Sequence, residues 1–271
     1  RRVLDVEPNI SVVSLVHSET PSGTINPVGE ICRIAKEFGA VTIVDTVSGL
    51  GSEPLDVDAD GIDIAIAGPQ KCLAGVPGLS LMAISPDAWA RMESLENPVR
   101  GSFLSLLDWK STWIEQKRFP YTPSVSTMYS LEATLRLALD EGIDNMIRRH
   151  HRSAEATRAA VEALGLELWA ESVEVAGANC TAVRVPDGIE DKALRETMRN
   201  RYGVMISGGY GELAGKLFRL GHMGLSAHPT AIIAQIGVLE RSLADLGHKV
   251  EFGAGVGAAI AALEGWDDSA T

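Results

Sequence analysis

Cysteine is scarce in this chain, with Cys32, Cys72 and Cys180 as its only three. They are too few and too scattered for a disulfide framework or a zinc site, and they point to a reducing compartment, the cytoplasm. Positive charge is also short: 24 lysines and arginines face 36 acidic residues, for a net charge of -12. Acidity dispersed in this way argues against nucleic acid or an anionic membrane surface as a partner. The longest apolar runs, 79–84 and 253–263, fall well short of a membrane span, and no secretory signal or internal repeat is visible. The chain opens on Arg1-Arg2 without a methionine and enters a buried-strand pattern at 11–16. A doubly wound sheet that began there would lack its opening units, so the chain reads as a fragment. What it does have is a 45% apolar content over 271 residues, enough for a sizeable core in one large or two modest domains.

The apolar pattern alternates between strands and helices. Ser11–Val16 is a continuous apolar run, as expected of a buried parallel strand, and it delivers His17 to Thr24 at its carboxyl end. Pro27 then suits the first turn of a helix with Ile31, Ile34, Ala35 and Phe38 at helical spacing, closed by Gly39. The strand Val41–Val44 completes a βαβ unit. Further strands are expected over 62–67 and 79–84, with a helix from Pro86. A long connection spans 97–123, and helices follow over 126–164. A second α+β unit should contain strands at 181–185, 204–206 and 217–220 and helices at 192–201 and 229–246. The expected fold is α/β, with a mainly parallel large domain over 1–150 and a smaller α+β domain over 151–271.

Three strand ends carry polar residues of chemical interest. Lys71 closes the run Ile62–Ala67 through Gly68-Pro69-Gln70. Many lysines at such junctions simply reach into water, but a desolvated amine is what forms a Schiff base with an aldehyde. Asp45 ends its strand and Thr20 follows the first one. In an open α/β sheet, ligands bind outside the carboxyl ends of the strands, which places these three in one site. Glu19 and Asp45 could form an acid–base pair. Beside a lysine-bound pyridine ring, Asp45 would instead supply the pyridinium partner. Arg219, inside the apolar run 217–221, suits bidentate capture of a substrate carboxylate or a salt bridge to a protein acid such as Glu212. The sequence Gly209-Tyr210-Gly211-Glu212-Leu213-Ala214 has the spacing of a dinucleotide fingerprint but leads into a strand, so it reads as a hairpin-like glycine loop. His17 and His222 lie beside site segments and are expected to be structural, while the adjacent pair His150-His151 does not suit a metal.

Four separated signatures, 18–23, 44–48, 63–71 and 216–221, together resemble the class V aminotransferases, in the alanine/serine-glyoxylate group of fold-type-I pyridoxal phosphate enzymes. The resemblance runs through the whole chain. It implies that Lys71 binds the cofactor covalently and shuttles a proton, that Asp45 meets the pyridine nitrogen, and that Thr20 meets the phenolic oxygen. It further implies that Val47 packs on the ring, that Gln70 and the neighbouring subunit's Thr122 reach the phosphate, and that Arg219 grips the substrate carboxylate. Segments 19–24, 104–109 and 119–126 are most similar to the pyridoxamine–pyruvate branch, for which pyridoxal would be a substrate in place of bound pyridoxal 5'-phosphate. Phe119 stands where glyoxylate-type members carry a tyrosine. Tyr210, expected at the substrate, replaces an arginine of that branch. The resemblance implies a homodimer or homotetramer, an amino donor, and pyruvate or glyoxylate as acceptor. A lyase or desulfurase of the same fold, or a non-catalytic truncated relative serving as a binding module, is the alternative.

Overall fold

The computed structural model describes residues 1–7 and 9–266. After a short helix α1 (Arg2–Val6), strand β1 (Val12–Val16) leads into a small hairpin of β2 (Ser18–Glu19) and β3 (Thr24–Ile25). Helix α2 (Val28–Glu37) returns the chain to β4 (Val41–Asp45). Then come β5 (Ile64–Ala67), β6 (Leu81–Ile84) and α3 (Pro86–Glu93), whose N-terminus is capped by the Ser85 side chain with proline in the first turn.

The first sheet has the order β1-β4-β5-β6. Its first three strands are parallel, and β6 pairs antiparallel with β5. Leu15, Val44 and Ala65 lie on the face that packs under Val28 and Cys32 of α2. The buried stripe of α2 is Val28, Cys32 and Ala35, whereas Phe38, at helical spacing, is exposed at the helix end. The first strand also departs from its sequence pattern. It is a sheet edge with alternating burial, and Val12 on the face away from α2 is 49% exposed. An edge strand pairs on one side only, so a continuous apolar run does not guarantee burial on both faces.

Asp63 fixes the start of β5. Its buried carboxylate accepts hydrogen bonds from Thr42 N (2.9 Å), Lys36 Nζ (2.7 Å) and Ser85 Oγ (3.0 Å), which ties three elements together. Burial alone would raise its pKa, but the hydrogen bonds from Lys36, Thr42 and Ser85 outweigh it and hold the carboxyl below its ordinary range.

The connection over 97–123 contains the short helix α4 (Leu106–Trp109) and a π-helical turn over Lys110–Glu115. Phe103, Trp109, Trp113, Phe119 and Tyr121 pack their rings together there. Two long helices follow, α5 (Val125–Glu141) and α6 (Ile143–Ala163), hinged at Gly142, whose φ of 83° a glycine adopts without penalty.

A second sheet, β7 (Cys180–Arg184), β9 (Leu217–Gly221) and β8 (Ser207–Gly208), is antiparallel throughout, in the order β7-β9-β8. Helices α7 (Asp191–Tyr202), α8 (Pro229–Asp245), α9 (Ala254–Ala262) and the second half of α6 enclose its core, centred on Val183, Leu194, Met198, Phe218, Leu220, Ile236 and Leu239. The run 204–206, expected as a strand, lies outside the sheet, and the pairing residues are the next two, Ser207 and Gly208. The apolar α9 is held by Glu240, whose buried carboxylate accepts hydrogen bonds from Gly253 N and Val256 N at the helix N-terminus. Among the described residues, no helix is long and apolar enough to cross a membrane.

Candidate active site

Register aligns the carboxyl ends of the parallel strands, with Val16 opposite Asp45 and Asp45 opposite Ile66. Three chemistry-bearing segments leave the sheet from this edge. The first is the hairpin β2–β3, whose turn carries Thr20 and Gly23. Gly23 has a φ of 65°, and a Cβ there would stand 2.9 Å from Cys180 O and 3.0 Å from Ala182 N. Only glycine lets the hairpin lie directly on the β7 backbone. Gly177 N also donates to Gly23 O at 2.8 Å, so a turn from the first sheet is seated on the second.

Lys71 lies in a compact turn after β5. Gly75 N donates to Pro69 O (2.7 Å) and Ala74 N to Lys71 O (2.9 Å). Ala74 takes a φ of 59°, which costs a non-glycine residue about 1 kcal/mol or more. Cys72 faces inward and is 1% exposed, with its thiol pushed up to about 11 by burial, so it fills core space and is a poor nucleophile. Lys71 itself is half-buried, and among the described residues its amine makes no hydrogen bond or ion pair.

Arg219 of β9 meets backbone, not the carboxylate of Glu212. Its Nε donates to Gly208 O (2.9 Å) and its NH1 to Thr20 O (3.2 Å). Two of five N–H donors are thereby committed to orienting the guanidinium, and three remain for a ligand. A cavity of about 620 Å³ brings Thr20, Lys71 and Arg219 together. Val204, Met205, Met223 and Gln235 also line it, and the sequence reading missed them. Their only signal was proximity to the glycine loop and β9.

The other expected site residues are arranged more loosely. Asp45 is exposed at the strand end, its Oδ1 accepts from Val47 N (2.9 Å), and its second oxygen has no partner among the described residues. Val47 is half-buried beside it. Gln70 is exposed and folds its amide over Gly68, where a Cβ would lie 2.5 Å from Gln70 Oε1. Thr122 is exposed in the long connection and does not line this cavity, and Tyr210 is 78% exposed on the glycine loop, also outside the lining. His222 is structural: Nδ1 donates to Ala178 O (2.9 Å), Nε2 pairs with the Thr181 hydroxyl (2.9 Å), and burial lowers its pKa to about 3. Burial likewise lowers the pKa of His17.

The donor set fits a pyridoxal group. An unpaired half-buried amine, a threonine hydroxyl and an oriented guanidinium line one space, and the Asp45 carboxylate, with one oxygen free among the described residues, stands at the carboxyl end of the same sheet but outside the cavity lining.

The sequence profile described as aminotransferase class-V matches residues 4–218. The pyridoxamine–pyruvate transaminase of Mesorhizobium japonicum is 44% identical over 262 residues, 97% of this chain and 67% of that protein. An L-aspartate–glyoxylate aminotransferase of Paracoccus denitrificans is 35% identical over 252 residues, 92% of this chain and 63% of the relative. Among solved structures, the pyridoxamine-pyruvate aminotransferase from Mesorhizobium loti superposes with a TM-score of 0.92 at 44% identity, covering 97% of this chain and 67% of that one. The chain thus spans about two thirds of the length of the relatives it matches.

Proposed function

The chain belongs to the class V aminotransferases, a family of pyridoxal phosphate enzymes with the fold-type-I architecture, and on that premise we propose that it forms the greater part of an enzyme that moves an amino group to pyruvate or glyoxylate, with pyridoxamine as the favoured donor. The observation that carries this reading is the convergence of Lys71, Thr20 and Arg219 on one cavity. The names of the relatives, which include a pyridoxamine–pyruvate transaminase and an aspartate–glyoxylate aminotransferase, support the acceptor class.

A bound pyridoxal group supplies an aldehyde that links to an amine and a protonated ring that takes up electron density. The residues of this chain hold and steer that chemistry. Lys71 Nζ would hold the group and then carry a proton between substrate carbon and cofactor. Asp45 Oδ2, free of other partners, would keep the ring nitrogen protonated. The Thr20 hydroxyl would bond the phenolic oxygen while its carbonyl orients Arg219. Val47 would pack on the ring, and Gln70 would reach the phosphate from the rim. The free guanidinium donors of Arg219 would take the substrate carboxylate, presenting the oxo-acid carbon to the lysine amine. Tyr210 would close on substrate from the exposed glycine loop.

The assembly we propose is a homodimer or a homotetramer in which Thr122 completes the phosphate site of the partner subunit. Exposed apolar side chains in the connection and on α5, among them Phe103, Leu104, Tyr129, Leu137 and Leu139, support a protein partner for these segments. Three buried free cysteines support a cytoplasmic setting. The test is a screen of pyridoxamine, L-alanine, L-serine and L-aspartate against pyruvate and glyoxylate with the full-length protein. Transfer from pyridoxamine to pyruvate is expected, and no transfer from any donor contradicts the proposal.

A further inference from the structure

The turn that carries Lys71 does not hold its place alone. Behind it lies Gly224, in the one-turn 3-10 helix Gly224–Ser226 between β9 and α8. This glycine has a φ of 55°, and a Cβ at the position would stand 2.8 Å from Ala74 Cβ and 3.2 Å from Lys71 O. The lysine turn occupies the space a side chain would need.

Gly224 is gripped at both of its backbone polar groups by consecutive residues of α6. Its N–H donates to His150 Nε2 at 3.0 Å, and its carbonyl accepts from Arg149 NH1 at 2.6 Å. The same arginine nitrogen reaches Ala227 O at 3.2 Å. Both gripping residues are fixed in turn. Arg149 makes a two-point ion pair with Glu141 at the end of α5, Nε to Oε1 at 2.6 Å and NH2 to Oε2 at 3.0 Å, with both side chains largely buried. His150 donates from Nδ1 to Met146 O at 2.8 Å, which leaves Nε2 unprotonated as an acceptor, and burial lowers its pKa to about 4, so that tautomer persists at neutral pH. On the other side of Gly224, Met223 and Ser226 form part of the cavity wall.

We propose that Arg149, His150 and Gly224 act as a positioning unit for Lys71: the hinge between α5 and α6 sets the depth of the Gly224 turn, and that turn sets where the lysine backbone sits in the cavity. This rests on Lys71 being the residue that holds the cofactor. None of the three touches the reacting atoms. A displacement of the lysine by a fraction of an ångström changes its alignment and the proton affinity of its nitrogen, whereas the carboxylate grip of Arg219, anchored on Gly208 and Thr20, is unaffected.

The experiment compares Gly224→Ala, Arg149→Met and Arg149→Lys with the wild type in the full-length protein loaded with pyridoxal and, in parallel, with pyridoxal 5'-phosphate. Two quantities are read, the midpoint pH of the cofactor's visible absorbance and the split between kcat and KM for the oxo acid. Gly224→Ala and Arg149→Met are expected to move the midpoint by about half a pH unit or more and to lower kcat by about tenfold or more, with KM changed by less than about twofold. Arg149→Lys, which can still reach one carbonyl, should fall between them and the wild type. Should Gly224→Ala fail to fold, the two Arg149 variants carry the test. Midpoint and kcat at wild-type values in folded variants overturn the inference even if the melting temperature falls, as does a change in KM alone. A wild-type protein that shows no lysine-dependent absorbance overturns the functional reading itself, so the two failures are distinguishable.

Discussion

Replacing Arg219 by lysine keeps the positive charge at the cavity wall and removes the fork. In the structure the guanidinium is pinned by Gly208 O at 2.9 Å and Thr20 O at 3.2 Å, leaving NH2 and one proton of NH1 to meet a carboxylate end-on. A lysine ammonium reaches less far and cannot satisfy both carbonyls while also presenting two parallel donors. The loss is therefore about one charge-assisted hydrogen bond, about 1.5–3 kcal/mol, or about 10- to 150-fold in kcat/KM. Under the proposed role, in which Arg219 holds the carboxylate alike in the ground state and the transition state, most of that loss should fall on KM for pyruvate or glyoxylate, with kcat within a few-fold. Steady-state kinetics with the oxo acid varied at saturating amino donor measures this. A KM within about twofold of wild type would show that Arg219 does not hold the carboxylate, and its contacts with Gly208 and Thr20 would then be purely structural.

Two further outcomes follow from ionisable groups that tie elements together. The lowered pKa of Asp63 means that its contribution to stability is present above about pH 4 and is lost as pH falls through its folded value. Asp63→Asn should therefore cost about 2 kcal/mol near pH 7, about 4–8 °C in Tm, and a gap that does not shrink in acid would contradict the hydrogen-bonded carboxylate. His151 behaves in the opposite sense. Its Nε2 lies 3.2 Å from the buried Glu53 carboxylate, without the alignment of a true hydrogen bond, and Glu53 also accepts from Ala178 N. The Glu53 interaction raises the His151 pKa against the opposing effect of burial, so its contribution is complete below about pH 6.5 and is lost as pH rises through the folded value. His151 is 41% exposed in its side chain, so the effect is small, and His151→Ala should melt about 1 °C below wild type at pH 6 and level with it at pH 9. A constant difference across that range would mean the ion pair contributes nothing.

How much was legible in the sequence differs between the strand ends and the contacts across the fold. The strand ends that carry Asp45 and lead to Lys71 were legible because each closes a short apolar run, and parallel register sets Asp45 opposite Ile66, although only Lys71 of the two lines the cavity. The hairpin that seats Thr20 against β7 was not visible, since strands of two residues carry no periodicity and their support is the bare backbone at Gly23. The run 204–206 has the composition of a strand, yet Val204, Met205 and Ile206 line the cavity and the pairing falls on Ser207 and Gly208, neither of them a strand former. Phe38 fits a helical stripe but falls where α2 ends, beyond the sheet it would have covered. The antiparallel direction of β6 also left no trace in an apolar run. The grip of Arg149 and His150 on Gly224 joins residues about 75 positions apart, and a charged and an aromatic residue side by side on a helix give no sign of such a partner.

The central claim is that Lys71 is the covalent anchor for the cofactor. Mass spectrometry of the full-length protein after addition of pyridoxal or, in a second sample, pyridoxal 5'-phosphate, and reduction with borohydride, tests it most directly. One stable adduct is expected, mapped to the peptide containing Lys71, and it should disappear together with the visible absorbance in Lys71→Ala; an adduct that persists in that variant, or that maps to another lysine, would contradict the assignment.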